Sequence, residues 1–175
     1  MKGRKGLAKL LAQLDPDDDL LKGTQFEHIC KWFLENDPRY GHLTQVWMWN
    51  DWPGNWGSDA GIDLVAQDRD GLLWAIQAKA YDEKYWIKKR DVDKFLSESG
   101  RPQISYRLLI GTTDRIMHRA EKTLNEQAVP SAFFGLSKLE AAQVNWPDSL
   151  SDLLPPPLPP KEPRLGQQQS DAACV

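Results

Sequence analysis

Residues Gly57 to Lys79 read GSDAGIDLVAQDRDGLLWAIQAK, and their pattern decides the fold. Ile62 to Gln67 alternates apolar and polar residues, and Leu72 to Ala80 is rich in apolar ones. Arg69-Asp70-Gly71 between them has the chemistry of a tight turn, so the stretch predicts a β-hairpin. Asp63 belongs to the first strand. Gln77 and Lys79, two apart on the second, share a face and sit roughly 7 Å from each other. A carboxylate, an amide oxygen and an ammonium gathered on one face can hold a hard cation beside a water, as a metal-dependent phosphodiesterase requires.

Register decides whether they gather. A three-residue loop at Arg69-Asp70-Gly71 sets Asp63 opposite Gln77, with Cβ atoms about 5 Å apart. A two-residue loop at Asp70-Gly71 pairs Asp63 with Ala78 and sends Gln77 and Lys79 to the other face. The site needs the odd loop, or a bulge that restores parity.

Upstream, Gly23 to Asn36 reads as a helix, with Phe26, Ile29, Cys30 and Phe33 on one stripe. Thr24 and Glu27 fit a capping box, which gives Glu27 a structural role that needs no chemistry. Residues 4–14 form a short basic amphipathic helix ahead of Asp15-Pro16, and Asp17-Asp18-Asp19 reads as a solvated loop. His42 to Asn50 alternates as a strand. The loop Asp51 to Gly57 then carries Trp52 and Trp56, read as rings that pin it to the core.

Downstream, Tyr81 to Arg90 interleaves Tyr81, Tyr85 and Trp86 with Lys84, Lys88, Lys89 and Arg90, a basic–aromatic patch suited to phosphate contacts. Asp91 to Ser99 reads as a helix and Ile104 to Thr113 as a buried strand. Asp114 to Gln127 follows as a helix capped by Thr113 or Asp114, and Ser131 to Leu136 as a strand. Ser137 and Glu140 fit a second capping box. The order α-β-β-β-α-β-α-β predicts an α/β fold, a mixed sheet with helices on its faces. From Leu153 six prolines crowd the stretch to Pro163, a stiff extended linker. The domains are thus an extension over 1–19, a folded unit over 20–150, and a linker with polar tail over 151–175.

Composition narrows the class. A formal net charge of −3 gives no overall basic signature, so nucleic acid would have to be met by a local patch. Two distant cysteines, Cys30 and Cys174, predict reduced thiols in a cytoplasmic protein. No apolar run approaches membrane-spanning length.

Asp63, thirteen residues, then Gln77-Ala78-Lys79 resembles the active-site signature of the PD-(D/E)xK nucleases, in the Mrr-type restriction endonuclease branch where Gln replaces the second acid. GTQFEHICKWFL resembles that branch's first helix with its inward Glu, here Glu27. GIDLVAQDRDGLLWAIQAKAY and RLLIGTTDR resemble that branch's core strands. VWMWNDWPGNWGSDAGIDLVA, with DVDKFLSESG after it, is similar to the nuclease domain at the N-terminus of Type ISP restriction–modification and related nuclease–helicase proteins. The resemblance covers about residues 20 to 147. It implies a restriction-endonuclease-like fold and a Mg2+-dependent endodeoxyribonuclease, with Mn2+ as an alternative ion. Asp63 and Gln77 would be metal ligands and Lys79 and Glu27 catalytic. Double-stranded DNA would be the substrate, contacted by Tyr81, Lys84, Lys88, Lys89 and Arg90. The resemblance also implies a helicase, C-terminal in a longer chain or as a partner, and a transient dimer for double-strand cleavage. The alternative is a catalytically silent DNA-binding or helicase-docking module on the same fold.

Overall fold

The hairpin forms with the three-residue loop. In the computed structural model, which describes residues 2–57 and 61–156, β2 (Leu64–Asp68) and β3 (Leu73–Lys79) pair antiparallel, with Leu64 facing Ile76 and Gln67 facing Leu73. Asp68 is the reason. Its N–H donates to the Leu72 carbonyl at 3.1 Å, and its carboxylate accepts from the N–H groups of Asp70 and Leu72 and from the Trp74 indole. Gly71 closes the turn at φ +78°, a conformation that favours glycine.

Asp63 lies one residue before β2 rather than on it. Its N–H donates to the carbonyl of Ile76, the residue Leu64 faces, so two residues oppose one as in a β-bulge. The simple pairing of Asp63 with Gln77 is therefore broken at the last step. This bulge turns Asp63 toward the face that Leu64 occupies.

Around the hairpin come α1 (Lys2–Leu11), α2 (Asp19–Asn36), β1 (Leu43–Met48), α3 (Lys89–Glu98), β4 (Ile104–Gly111), α4 (His118–Asn125), β5 (Ser131–Phe134) and α5 (Leu136–Glu140). The sheet order is β1-β2-β3-β4-β5. Its first two pairings are antiparallel and its last two parallel, the parallel ones made through the crossover helices α3 and α4. This is the mixed sheet that the element order predicts. On one face α2 packs Phe26, Ile29, Cys30 and Phe33 against Leu64, Ala66, Ile76 and Leu108, joined by the fully buried Leu7 and Leu10 of α1. The other face sets Val65 and Ala75 against Phe95 of α3 and the rings of Trp49 and Trp52, and Leu109 against Val92 and Ala120. Alternation along the strands produces both cores. The tryptophan loop is pinned as expected, with the Trp49 indole donating to the Gly57 carbonyl at 2.7 Å.

Several boundaries move, each for a visible reason. α2 begins four residues before the expected Gly23, because the Asp18 carboxylate accepts from the Leu21 N–H at 3.0 Å and caps it there. Thr24 is then inside the helix, its hydroxyl donating to the Leu20 carbonyl, and the Thr24–Glu27 capping box does not exist. In β1 a bulge between Leu43 and Gln45 puts Leu43, Val46 and Met48 against one core despite their uneven spacing. α3 starts at Lys89 rather than Asp91, since the Asp91 carboxylate bonds back to the Lys88 N–H at 2.7 Å. α4 starts at His118 rather than Asp114. The Asp114 carboxylate instead accepts from the N–H and hydroxyl of Ser137, so neither residue caps as expected. Among the described residues no helix is long and apolar enough to cross a membrane. Asp59, a candidate turn residue or site-edge ligand, Cys174 and the tail beyond residue 156 lie outside the described residues.

Candidate functional site

Four segments meet at the C-terminal end of β3. Asp63 reaches it from the bulge, and its Oδ2 accepts the Ala78 N–H at 2.8 Å. Gln77 and Lys79 share the strand face of Ala75, which lies toward α3. Glu27 comes from α2 on the opposite side. All line one cleft of about 860 Å³, together with Ala78, Lys22, Gly23, Tyr81, Asp82 and Lys94.

Gln77 is the most constrained of them. It is 3% exposed, and its Nε2 donates to the Gly61 carbonyl at 3.0 Å. That bond settles the orientation of the amide, because the flipped form would press two oxygens together. Oε1 is then buried with no hydrogen-bond partner. Gly61 makes this contact from φ +65°, and a Cβ there would come within 3.3 Å of Lys94 Cγ. The glycine thus seats the Lys94 stem and the Gln77 amide together.

Glu27 faces Asp63 closely enough for one carboxyl to hydrogen-bond the other. Burial, and then the Asp63 charge, push the Glu27 carboxyl up from 4.5 to about 8, against the opposing pull of Lys79. Burial also raises Asp63, offset by the Ala78 N–H and by Lys79. The Glu27 carboxyl therefore keeps its proton to a higher pH than a free carboxyl does. The linkage has a definite sign. Between 4.5 and about 8 the folded protein keeps a proton that the unfolded chain has released. Stability therefore falls as pH rises through that window and levels off on either side. We expect urea midpoints in chelator to decline from pH 5 to 8, and Glu27→Gln to flatten the decline; an equally steep decline in the variant would contradict this pairing.

The structure brings Asp63, Gln77, Lys79 and Glu27 to one cleft. Asp63 reaches it from the Leu64 face through the bulge, rather than from the shared face the sequence leads one to expect. Glu27 has a place in the cleft instead of a cap. Tyr81 lines the cleft too and stacks on Tyr85, ring centroids 4.4 Å apart. Lys84, Lys88, Lys89 and Arg90 do not line it. They are exposed beyond Tyr85, with Lys88 over the Tyr85 ring at 5.9 Å and Lys89 paired with Asp93 at 2.8 Å. Sequence reading missed Lys22, Lys94 and Gly61. Lys94 carries no local signal, because α3 meets the site only by crossing the sheet.

The donor set suits a hard cation. Among the described residues no three His, Cys, Asp or Glu side chains gather as a metal cluster. The oxygens on offer are the two carboxylates and the unpartnered Gln77 Oε1. Hard divalent cations take carboxylate and amide oxygens alike.

Comparison with known proteins points to restriction endonucleases. Residues 35–152 match the family model Mrr_cat_2, described as a restriction endonuclease. The match includes Asp63, Gln77 and Lys79 but not Glu27, whose inclusion rests on geometry. Among solved structures the chain is similar to the "ATP-dependent Type ISP restriction-modification enzyme LlaBIII bound to DNA". That likeness has TM-score 0.64 and 29% identity over 87% of this chain and 10% of that one. It also shares its fold with the "DNA modification-dependent restriction endonuclease AspBHI", at TM-score 0.52 and 14% identity over 79% of this chain and 34% of that one. The chain thus spans a small part of each of these enzymes. No curated protein matches it.

Proposed function

Since this chain belongs to the Mrr_cat_2 restriction endonuclease family, we propose that it is the nuclease module of a restriction nuclease–helicase, a Mg2+-dependent DNA endonuclease acting in the cytoplasm. The observation that carries this reading is the Gln77 Oε1, buried and unpartnered in the cleft that Asp63 and Lys79 also line. A buried oxygen left without a partner costs about 1–3 kcal/mol, and a cation relieves that cost. Asp63 and Gln77 would hold Mg2+ or Mn2+ as ligands, with the Glu27 carboxyl lining the same cleft. A bound divalent ion supplies Lewis acidity at the scissile phosphate and lowers the pKa of a water there.

The chain's own residues do the rest. The Ala78 N–H holds the Asp63 carboxylate in one orientation. The Gly61 carbonyl keeps the Gln77 oxygen turned into the cleft. Lys79 orients the attacking water and offsets the charge that builds on the phosphate oxygens. With Gln in place of an acid, the site carries one negative charge fewer, so its own residues would hold a divalent ion less firmly before DNA arrives. Double-stranded DNA is the substrate. A helicase segment, in a longer chain or as a partner, delivers it, and cutting both strands takes two copies that meet transiently.

The test is plasmid incubation with Mg2+, Mn2+ or chelator. Supercoiled DNA should be nicked or linearised with either ion and left intact in chelator. Cleavage that persists in chelator, or none with either ion at micromolar protein, removes the metal-nuclease reading.

A further inference from the structure

α2 carries a glycine in its second turn that the protein itself does not need. Gly23 lies inside the helix Asp19–Asn36, where glycine is a poor helix former next to alanine. It is not among the glycines at positive φ, and a Cβ built on it meets no atom within 4 Å. No neighbouring side chain requires its smallness. The open space is the cleft, which α2 lines with Lys22, Gly23, Thr24 and Glu27.

Facing it from α3 stands Lys94, its stem seated on Gly61. Among the ion pairs of the described residues neither Lys22 nor Lys94 takes part, whereas Lys9, Lys31, Lys89 and Lys122 each have an acid. The same cleft holds the Gln77 Oε1, buried and unpartnered. Bare main chain on one wall and an amine on each suit a narrow polyanion lying across the cleft.

We propose that the sugar–phosphate backbone of the scissile strand crosses between α2 and α3 against the main chain of Gly23, with one flanking phosphate held by Lys22 and another by Lys94. This rests on the nuclease reading above and adds the path of the strand. Asp19 and Asp82 also line the walls, so the cleft is not uniformly basic. The two amines therefore fix the line of the phosphates rather than draw DNA from a distance. The cations beyond Tyr85 lie outside this path.

The experiment joins melting, binding and cleavage. Binding of a fluorescent duplex is followed by anisotropy across a salt series with Mg2+, in a Lys79→Ala background so that DNA stays whole. Cleavage is followed with Lys79 intact. Gly23→Leu should melt at or above the parent's temperature, because leucine favours the helix and its Cβ meets no atom within 4 Å. It should nevertheless weaken binding and slow cleavage by about tenfold or more, since the strand is displaced. Lys94→Ala and Lys22→Ala should each lower the slope of log affinity against log salt by about 0.9, one phosphate contact apiece, and Lys94→Arg should keep the slope. The path is overturned if Gly23→Leu binds and cuts like the parent. It is overturned equally if that variant melts lower, or if neither lysine changes the slope. A parent chain that cuts nothing with either ion sinks the nuclease reading instead, and the binding arm still decides the path.

Discussion

Replacing Lys79 by alanine is expected to slow plasmid cleavage by about 10²–10⁴-fold, the range for losing a group that moves or orients a proton in the transition state. Duplex affinity should stay within about threefold, because an interaction made mainly in the transition state appears in kcat and not in KM. The fold should survive. Lys79 is the last residue of β3, only half-buried, and its main-chain carbonyl keeps the Thr112 N–H at 3.2 Å whatever the side chain. Arginine should not rescue it, since a planar guanidinium cannot present the compact charge of an ammonium at the same point. Single-turnover cleavage beside a binding isotherm checks both halves. A large loss of affinity with an unchanged rate would make Lys79 a DNA anchor, and the chemistry would need another author among Glu27, Asp63 and Lys94.

The second large effect is on stability. Phe33→Ala should cost about 3–5 kcal/mol through lost burial and the cavity left behind, out of a total of about 5–15 kcal/mol for a domain. Phe33 is fully buried, with its ring 5.0 Å from Phe134 and 5.4 Å from Tyr40. It helps lay α2 on the sheet, and α2 also carries Lys22, Gly23 and Glu27. Cleavage at temperatures well below the melting point should therefore fall along with the urea midpoint. Leu20, 86% exposed on the same helix, is the control: Leu20→Ala should stay within about 0.5 kcal/mol of the parent. Equal losses at both positions would mean that α2 is not held by its apolar stripe.

Much of this was written locally in the chain. The alternation of Ile62 to Gln67 and the turn chemistry of Arg69-Asp70-Gly71 led to the hairpin and its three-residue loop. The stripe Phe26, Ile29, Cys30, Phe33 gave the buried side of α2. Gln77 and Lys79 followed from strand periodicity, which depends only on neighbours along one element, whereas Asp63 departs from it in the bulge. Glu27 could not be read that way. The same letters, Thr24 and Glu27, fit both a helix cap and a residue in mid-helix. What separated them was the Asp18 carboxylate starting α2 a turn earlier.

By itself, then, the sequence determined the hairpin, its loop and the positions that carry the candidate chemistry, because φ/ψ preference and side-chain period act over a few residues. Tertiary structure alone decided that Asp63 leaves the ladder in a bulge, that Glu27 joins it in one cleft, and that Lys22 and Lys94 rather than Lys88 and Arg90 line that cleft. Those outcomes depend on how α2 and α3 lie across the two faces of the sheet. That placement is set by the packing of Phe26, Phe33 and Phe95 against strands distant in the chain.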